Sequence, residues 1–365
     1  MRGVLRPVLT LLVLTLLFAV VGLAGLRAQD APPNSSAPSA IAKAPERWDE
    51  AVAIVRDVEQ LTRFFTSVAQ YEVIASGAVA QGELVSLGLD ASTRGTFALL
   101  REPGQTRGAI RLIQLDTNLL QVEARSSATL FDTGGIAGLN VRVDDIDAAF
   151  AKMQAAGWRA FADPLMVRRS NYAVAEAIFR GPDGLVIGLI ERSQPALGPQ
   201  WQLTDGRLSR PSHAFAVVAD IAEERAFFAQ RLGWESFLSD RGAAGAAGPN
   251  LYGWPHNLVS RVARNVEWLH GARDPARSGS EGAIALMQFE GLEGRDLSRR
   301  TAAPNFGFIA LRLLGETDPN AAPMIEGERI PNVAPYGPQR ITTMRSPAGI
   351  VVQVLRDPTP RAPAP

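Results

Sequence analysis

The chain has 365 residues, which is long enough for two domains of ordinary size. Its 37 basic residues balance its 37 acidic residues, and this neutral formal charge argues against a nucleic-acid-binding surface. The absence of cysteine excludes disulfide bonds, thiolate metal ligands and a cysteine nucleophile.

The first 28 residues are predicted to be a signal peptide or an N-terminal membrane anchor. Two arginines flank the start of an uncharged run from Val8 to Leu26, and Ala28 offers a cleavage point. The run is also long enough to span a bilayer as a helix, so cleavage and anchoring both stay open. The folded part is therefore expected in the periplasm or another extracytoplasmic space, with membrane contact only through this segment. Residues 29–47 are rich in Pro, Ser and Ala and are predicted to form a disordered tether.

Three segments further along the chain share the order strand, acidic turn and amphipathic helix. They begin at Glu50, Gly135 and His213, and the clearest reads GIAGLNVRVDDIDAAFAKMQAAGW. Apolar residues alternate in its first part, as in a half-buried strand, and recur at helical spacing in its second part. The carboxylates between the two parts are typical of helix N-caps. A fourth, more divergent unit begins at Asn305, and its helix is expected to be short because the segment contains prolines.

The sequence repeats itself over a long distance. The acidic turns of the first and third units lie 163 positions apart. GAIRLIQLD from Gly108 reappears as GAIALMQFE from Gly282, and FRGPDGLVIGLIER from Phe179 corresponds to MRSPAGIVVQVLRD from Met344. Agreement of three segments in the same order predicts two homologous halves, each with two βαβββ modules. We number these modules one to four along the chain.

The repeat predicts the domain boundaries. We expect a first domain at 48–195, a linker at 196–210, a second domain at 211–357 and a disordered tail at 358–365. The second domain contains an insertion at 241–281, in which Leu258, Val262 and Val266 indicate a helix. The insertion either forms a lid or wall of a ligand pocket, or covers an exposed edge strand.

The paired modules resemble the vicinal oxygen chelate (VOC) superfamily, which includes glyoxalases, bleomycin resistance proteins and extradiol dioxygenases. The resemblance covers residues 48–191 and 211–356 and is strongest in VDDIDAAFAKMQAAGW and GPDGLVIGLIER. It implies an α+β fold of tandem VOC-like domains, each with two βαβββ modules that form curved mixed sheets around a cup. Such a cup binds a small molecule, usually over a divalent metal ion.

The resemblance also implies where metal ligands would lie. The family uses a histidine that opens the first strand of a module and a carboxylate on a module's last strand. At the first position the four modules carry Glu50, Gly138, His213 and Phe308, and at the second the two halves carry Gly188 and Gln353. The first half therefore lacks the family's metal site. The second half keeps His213 and Gln353, so only the second domain is compatible with a divalent metal, and the sequence establishes no cofactor.

His213 is the candidate catalytic residue, as a base or as a metal ligand, and the alternative is a structural or substrate-contacting histidine. Four side chains are predicted to contact a ligand from the cup wall: Gln288, Gln353, Gln114 and Arg111. For the glutamines the alternative is a buried amide bonded to the backbone. His256 and His270 would complete a site if the insertion folds over the cup.

Three functions stay open from the sequence. The first is an exported enzyme of the glyoxalase or dioxygenase type, acting as a lyase, isomerase or dioxygenase with an altered or absent metal site. The second is a non-catalytic protein of the cell envelope that binds or sequesters a small molecule, like a bleomycin resistance protein. The third is a tandem protein whose cups serve protein assembly. The sequence does not indicate the oligomeric state.

Overall fold

The computed structural model describes residues 45–358, apart from 128, 170–171, 202, 204–205, 272–279 and 316–329, and only the backbone at 169 and 200. The predicted signal peptide or anchor at 1–28 lies outside the described residues, as do most of the tether and nearly all of the tail. The helix predicted for module four falls in the gap at 316–329. Within the described ranges, no helix is long and apolar enough to cross a membrane.

The described elements follow the four modules in chain order. Module one contains Glu50–Ile54 (β1), Val58–Ser67 (α1), Glu72–Ala78 (β2), Gln81–Ser86 (α2), Arg94–Arg101 (β3) and Ala109–Asp116 (β4). Module two contains Gly138–Val143 (β5), Ile146–Ala155 (α3), Arg159–Ala160 (β6), Leu165–Arg169 (β7), Tyr172–Arg180 (β8) and Val186–Gln194 (β9). Module three contains Pro211–Val217 (β10), Ile221–Leu232 (α4), Glu235–Gly242 (β11), His256–Val259 (α5), Ala263–His270 (β12) and Ala283–Glu290 (β13). Module four contains Gly307–Gly315 (β14), Asn332–Val333 (β15), Gly337–Pro338 (β16), Arg340–Arg345 (β17) and Val351–Arg356 (β18).

The strands form two large mixed sheets. Seven strands are ordered β17-β18-β14-β1-β4-β3-β2, and eight are ordered β11-β12-β13-β10-β5-β9-β8-β6, with β7 added beside β8. Strands β15 and β16 form a separate short ribbon. This arrangement confirms the predicted α+β class with curved mixed sheets.

The sheets pair the modules across the two halves of the sequence. Strand β1 runs antiparallel to β14, so modules one and four share a sheet, and β10 runs antiparallel to β5, so modules two and three share the other. The expectation that each half builds its own sheets was therefore wrong. The linker runs along the same sheet: Ser209 exchanges hydrogen bonds with the backbone of Arg142 in β5, and the chain then enters β10 alongside β5. The boundaries 48–195 and 211–357 come from the sequence repeat, and as domain boundaries they remain a prediction.

Three helices cover one face of the sheets, and each begins at an aspartate of the predicted acidic turn. Asp57, Asp145 and Asp220 accept hydrogen bonds from backbone N–H groups in the first turns of α1, α3 and α4. The largest apolar cluster joins these helices to strands of both sheets. Two smaller apolar clusters lie on the opposite, concave faces. We call these faces the one–four cup and the two–three cup, after the modules that form them.

The insertion differs from its prediction. Helix α5 has only four residues, and Val266 belongs to β12, which pairs antiparallel with both β11 and β13. A helix through Val262 and Val266 was therefore wrong. Apolar residues four positions apart fit the period of a strand as well as that of a helix, and here the neighbouring strands supply the hydrogen bonds.

Candidate functional site

A buried ion-pair network lies in the one–four cup. Glu50 and Arg312 are direct neighbours across β1 and β14. The Glu50 carboxylate accepts hydrogen bonds from Arg111 Nε at 2.7 Å and from Arg312 Nη1 at 2.9 Å. Arg312 Nη1 also donates to Glu83 Oε1 at 2.8 Å. All four side chains are at most 1% exposed, and their two positive and two negative charges cancel.

Further hydrogen bonds extend this network, in which Arg111 Nη1 and Arg312 Nη2 are buried without a hydrogen-bond partner. Arg312 Nε donates to Gln353 Oε1 at 2.8 Å, and the Tyr336 hydroxyl donates to Glu50 Oε2 at 3.0 Å. Burial alone would raise the pKa of Glu50, but Arg111 and Arg312 outweigh it and hold the pKa below its ordinary value. Glu50 is therefore ionised, and the polar groups of this cup are committed largely to one another.

His213 occupies in the two–three cup the position that Glu50 has in the other. It faces Asn140 across β10 and β5, and it is only 4% exposed. The Ser212 hydroxyl donates to the backbone carbonyl oxygen of Asn140 at 3.1 Å. Because its proton is used there, Ser212 Oγ accepts from His213 Nδ1–H at 3.1 Å. Nε2 then carries the lone pair and accepts from Asn140 Nδ2 at 2.7 Å.

This arrangement fixes the protonation of His213. Burial, and then the nearby charge of Arg142, lower its pKa to about 3. The imidazole is therefore neutral at neutral pH, and both ring nitrogens already have protein partners. A metal ion or a substrate proton could reach Nε2 only if Asn140 moved.

Charged side chains line the same cup beside His213. Arg142 follows Asn140 by two positions on β5, and its Nε is buried without a hydrogen-bond partner. Across the sheet Arg264 donates to the Tyr252 hydroxyl at 3.1 Å and forms an ion pair with Asp240. Burial lowers the pKa of Arg142 to about 10, with a further contribution from the neighbouring Arg192. Arg142 itself is in no ion pair among the described residues.

The insertion packs over the apolar part of this cup. The rings of Tyr252 and Trp254 stack at 4.7 Å, and Trp254 meets Phe289 of β13 edge to face at 4.7 Å. Asn250 holds the loop, because its Oδ1 accepts from the backbone N–H groups of Tyr252 and Trp254, both at 3.0 Å. These aromatic rings join the cluster that includes Phe215 at the centre of the sheet. The insertion therefore forms a wall of the two–three cup.

The predicted site residues lie in different parts of the structure. Arg111 and Gln353 lie together in the one–four cup, whereas His213 lies in the other, so the expected pairing of His213 with Gln353 was wrong. It fails because the modules pair across the halves. Gln114 Oε1 accepts from the Val58 N–H at 3.0 Å, and Gln288 Nε2 donates to the carbonyl oxygen of the residue before Asp220 at 2.8 Å. Both amides thus join the end of a strand to the start of a helix, outside the cups.

The two histidines of the insertion do not join His213. His256 is exposed on α5, and His270 stacks on Phe237 with ring centroids 4.1 Å apart. The structure describes no group of three or more His, Asp or Glu side chains placed to hold a metal ion.

The positions implied for a VOC metal do not fit one in either cup. Register places Arg312 opposite Glu50 and Asn140 opposite His213. Two guanidinium groups fill the one–four cup. In the two–three cup a Cβ added at Gly188 would lie 2.0 Å from Asn140 Oδ1, so a carboxylate there would displace the amide that holds His213.

Sequence reasoning missed several polar residues of the cups. The charged residues Arg142 and Arg312 interrupt otherwise apolar strands, GLNVRV and FIALRLLG. An arginine within a buried strand is unusual unless it is paired, and this signal was available in the sequence. The partner of Arg312 could not be read from the sequence, because Arg312 and Glu50 lie 262 positions apart.

No family model matches the sequence, and no curated protein matches it either. Solved structures do match. A glyoxalase I variant from Zea mays aligns with a TM-score of 0.54 at 13% identity, covering 86% of this chain and 94% of that one. A second variant reaches 0.52 at 12% identity, and glyoxalase I from Zea mays reaches 0.52 at 13%, each covering 85% of this chain and 92% of its own. Such low identity shows the fold alone. The chain has the tandem VOC fold.

Proposed function

We propose that the protein is an exported, non-catalytic VOC-fold protein that binds a small organic carboxylate in its two–three cup. One observation carries the proposal. Arg142 lines this cup beside His213, with a buried Nε that has no hydrogen-bond partner and, among the described residues, no carboxylate at ion-pair distance. A buried guanidinium N–H without a hydrogen-bond partner is costly, and a ligand carboxylate would satisfy it.

Charges of both signs lie around Arg142. Arg192 lowers the pKa of Arg142, whereas Glu176 raises it without forming an ion pair with it. A ligand carboxylate would offset the two guanidinium groups, and it matches the fork of N–H groups on a guanidinium. Ile178 and Trp268 belong to the apolar cluster of the same cup, which favours a ligand whose remaining body is apolar.

The other features of the cups support binding without VOC-type metal chemistry. In the one–four cup, Arg111 and Arg312 are committed to the chain's own carboxylates. In the two–three cup, both nitrogens of His213 are hydrogen-bonded. A neutral, fixed imidazole suits an orienting contact better than proton transfer or metal ligation.

Export rests on the N-terminal run from Val8 to Leu26, which lies outside the described residues. Fractionation of the native host, followed by N-terminal sequencing of the recovered protein, tests it. We expect extracytoplasmic protein that begins near residue 29 or keeps the run as an anchor. Recovery of full-length protein from the cytoplasm would contradict export.

Calorimetric titration with small aromatic carboxylates tests the ligand class. We expect saturable binding of phenylacetate or benzoate, and binding at least tenfold weaker for the uncharged analogues phenylacetamide and benzamide. Arg142→Gln should weaken carboxylate binding by at least tenfold, because a charge-assisted hydrogen bond contributes about 1.5–3 kcal/mol. Arg63→Gln removes an equal charge from the exposed face of α1 and is the matched control.

Two results would contradict the proposal. In the first, carboxylates and amides bind equally well, which would leave a cup without an anion site. In the second, Arg142→Gln and Arg63→Gln have the same effect, which would reduce the binding to general electrostatics.

A further inference from the structure

An acidic side chain, Glu176, lies in the same row of the two–three cup as Arg142. Strand β9 runs between β5 and β8, and its Ile190 is the register partner of both Arg142 and Glu176. Direct partners in a ladder point to the same face of a sheet, so the three side chains share the cup face. Ile178 agrees with this, because it lies two positions after Glu176 and belongs to the apolar cluster of the cup. Two steps between neighbouring strands separate the backbones of Arg142 and Glu176 by about 10 Å.

The carboxylate of Glu176 has no polar partner. It makes no hydrogen bond and no ion pair with any described residue. Burial raises the pKa of this carboxyl group, and the nearby charges of Arg264 and Arg142 offset only part of that effect. Arg264 is committed elsewhere, since it donates to the Tyr252 hydroxyl at 3.1 Å and forms an ion pair with Asp240. Glu176 therefore presents a partly desolvated carboxylate whose acceptor positions are unused.

Arg142 supplies the complementary charge, and it is also unpaired. Its guanidinium makes no hydrogen bond with any described residue, although its Nε is buried. Arg142 and Glu176 lie beyond ion-pair distance, yet each is close enough to shift the pKa of the other. The apolar side chain of Ile190 lies between them in the row. An unpaired cation and an unpaired anion therefore face the same space with a gap between them.

We propose that the two–three cup binds an α-amino acid with an apolar side chain, its carboxylate on Arg142 and its ammonium group on Glu176. This inference rests on the carboxylate site proposed above and adds a second charged contact to it. An α-amino acid carries both charged groups on one carbon atom. It can therefore join two side chains that are too far apart to pair directly.

Ligands with one charge fit this row less well. A simple carboxylate would pair with Arg142 but bring a second negative charge close to Glu176, which would still lack a donor. A simple amine would leave the guanidinium of Arg142 without an acceptor. Buried or partly buried charges are costly when they are unpaired, so a ligand that pairs both is favoured.

The neighbouring row can receive the apolar side chain of the amino acid. His213, Asn140 and Ile178 form that row on the same face of the sheet. The ring of Trp268 lies beside it, with its centroid 6.4 Å from that of His213. Ile178 and Trp268 are the apolar surfaces there, and they favour an aromatic or large aliphatic side chain.

Calorimetric titration of the purified protein with three related compounds tests the proposal. Phenylalanine carries both charged groups, hydrocinnamate lacks the ammonium group, and phenethylamine lacks the carboxylate. We expect saturable binding of phenylalanine that is at least tenfold tighter than binding of either analogue, because hydrogen bonds between ionised groups are the stronger class.

Two variants test which side chain holds which group. Glu176→Gln should remove the preference for phenylalanine over hydrocinnamate, because a neutral amide attracts an ammonium group far less than a carboxylate does. Hydrocinnamate binding by this variant shows that its cup is folded. Arg142→Gln should weaken both phenylalanine and hydrocinnamate by at least tenfold. Glu59→Gln and Arg63→Gln change the same charges on the exposed face of α1 and are the matched controls.

The outcomes separate this inference from the carboxylate site on which it rests. If hydrocinnamate binds as tightly as phenylalanine, the contact with the ammonium group is overturned and the carboxylate site stands. The same conclusion follows if Glu176→Gln keeps the preference for phenylalanine, or if Glu59→Gln loses it equally. If neither compound binds saturably, both the inference and the carboxylate site are overturned.

Discussion

Replacing Arg312 by alanine should destabilise the protein by about 3–5 kcal/mol, the usual effect of removing one member of a buried ion pair. Arg312 Nη1 bridges two carboxylates, at 2.9 Å from Glu50 and 2.8 Å from Glu83. Without it, Glu50 keeps Arg111, but Glu83 keeps only the more distant Arg111 Nε at 3.6 Å. The variant therefore buries a poorly compensated negative charge and leaves a cavity in the one–four cup.

Urea unfolding followed by tryptophan fluorescence measures this loss in the purified protein. The control is Arg63→Ala, since Arg63 pairs with Glu59 on an exposed helix face at 3.8 Å and such pairs contribute about 0.3–0.5 kcal/mol. Replacing Arg312 and Glu83 together by leucine should cost less than Arg312→Ala, because no unpaired charge remains from that pair. A loss below about 1 kcal/mol for Arg312→Ala would refute the reasoning that this network is desolvated.

Three further predictions concern the two–three cup and the helix caps. The folded-state pKa of His213 is about 3, so the unfolded chain takes up this proton first, near pH 6.5. The free energy of unfolding should therefore fall as pH drops below about 6.5, by up to about 1.4 kcal/mol per pH unit. When it is measured by urea unfolding between pH 6.5 and 4.5, His213→Gln should make it depend less on pH. An unchanged pH dependence in this variant would contradict the assignment. Trp254→Ala should lower unfolding stability by about 3–5 kcal/mol through loss of the packed rings, and a loss within experimental error would mean that the insertion does not pack on the cup. Asp220→Ala should cost about 1 kcal/mol in the same assay, because two N–H groups of α4 lose their acceptor, whereas no change would show that solvent replaces the cap.

Local patterns in the sequence predicted local structure well. The caps at Asp57, Asp145 and Asp220 are present, because a capping bond depends on residues only two or three positions apart. The repeat and the alternating strands predicted the βαβββ modules, and the resemblance of these modules to the VOC superfamily implied the fold class. The insertion was misread because the spacing of Val262 and Val266 is ambiguous over one or two turns.

Long-range pairing could not be predicted from the same patterns. Each module has the same strand and helix periodicity, so the pattern of one module does not indicate which other module completes its sheet. The pairing consists of contacts between residues far apart in the sequence, in the ladders of β1 with β14 and of β10 with β5. The predicted site was wrong for the same reason: His213 and Gln353 belong to one half of the sequence, but they lie in different cups.

The pairing of module one with module four has a consequence for the order in which the protein can form. Strand β1 is made first, yet the residue opposite Glu50 is Arg312, and the ribosome adds it 262 positions later. Modules two and three are contiguous, from β5 to β13, so their sheet can close while module four is still being synthesised. Until then β1 has an open edge on the side that β14 will occupy, and Glu50 lacks one of its two arginine partners. The slow step of folding is therefore expected to be closure of the one–four sheet around its ion pairs, since contacts between distant parts of a chain form last.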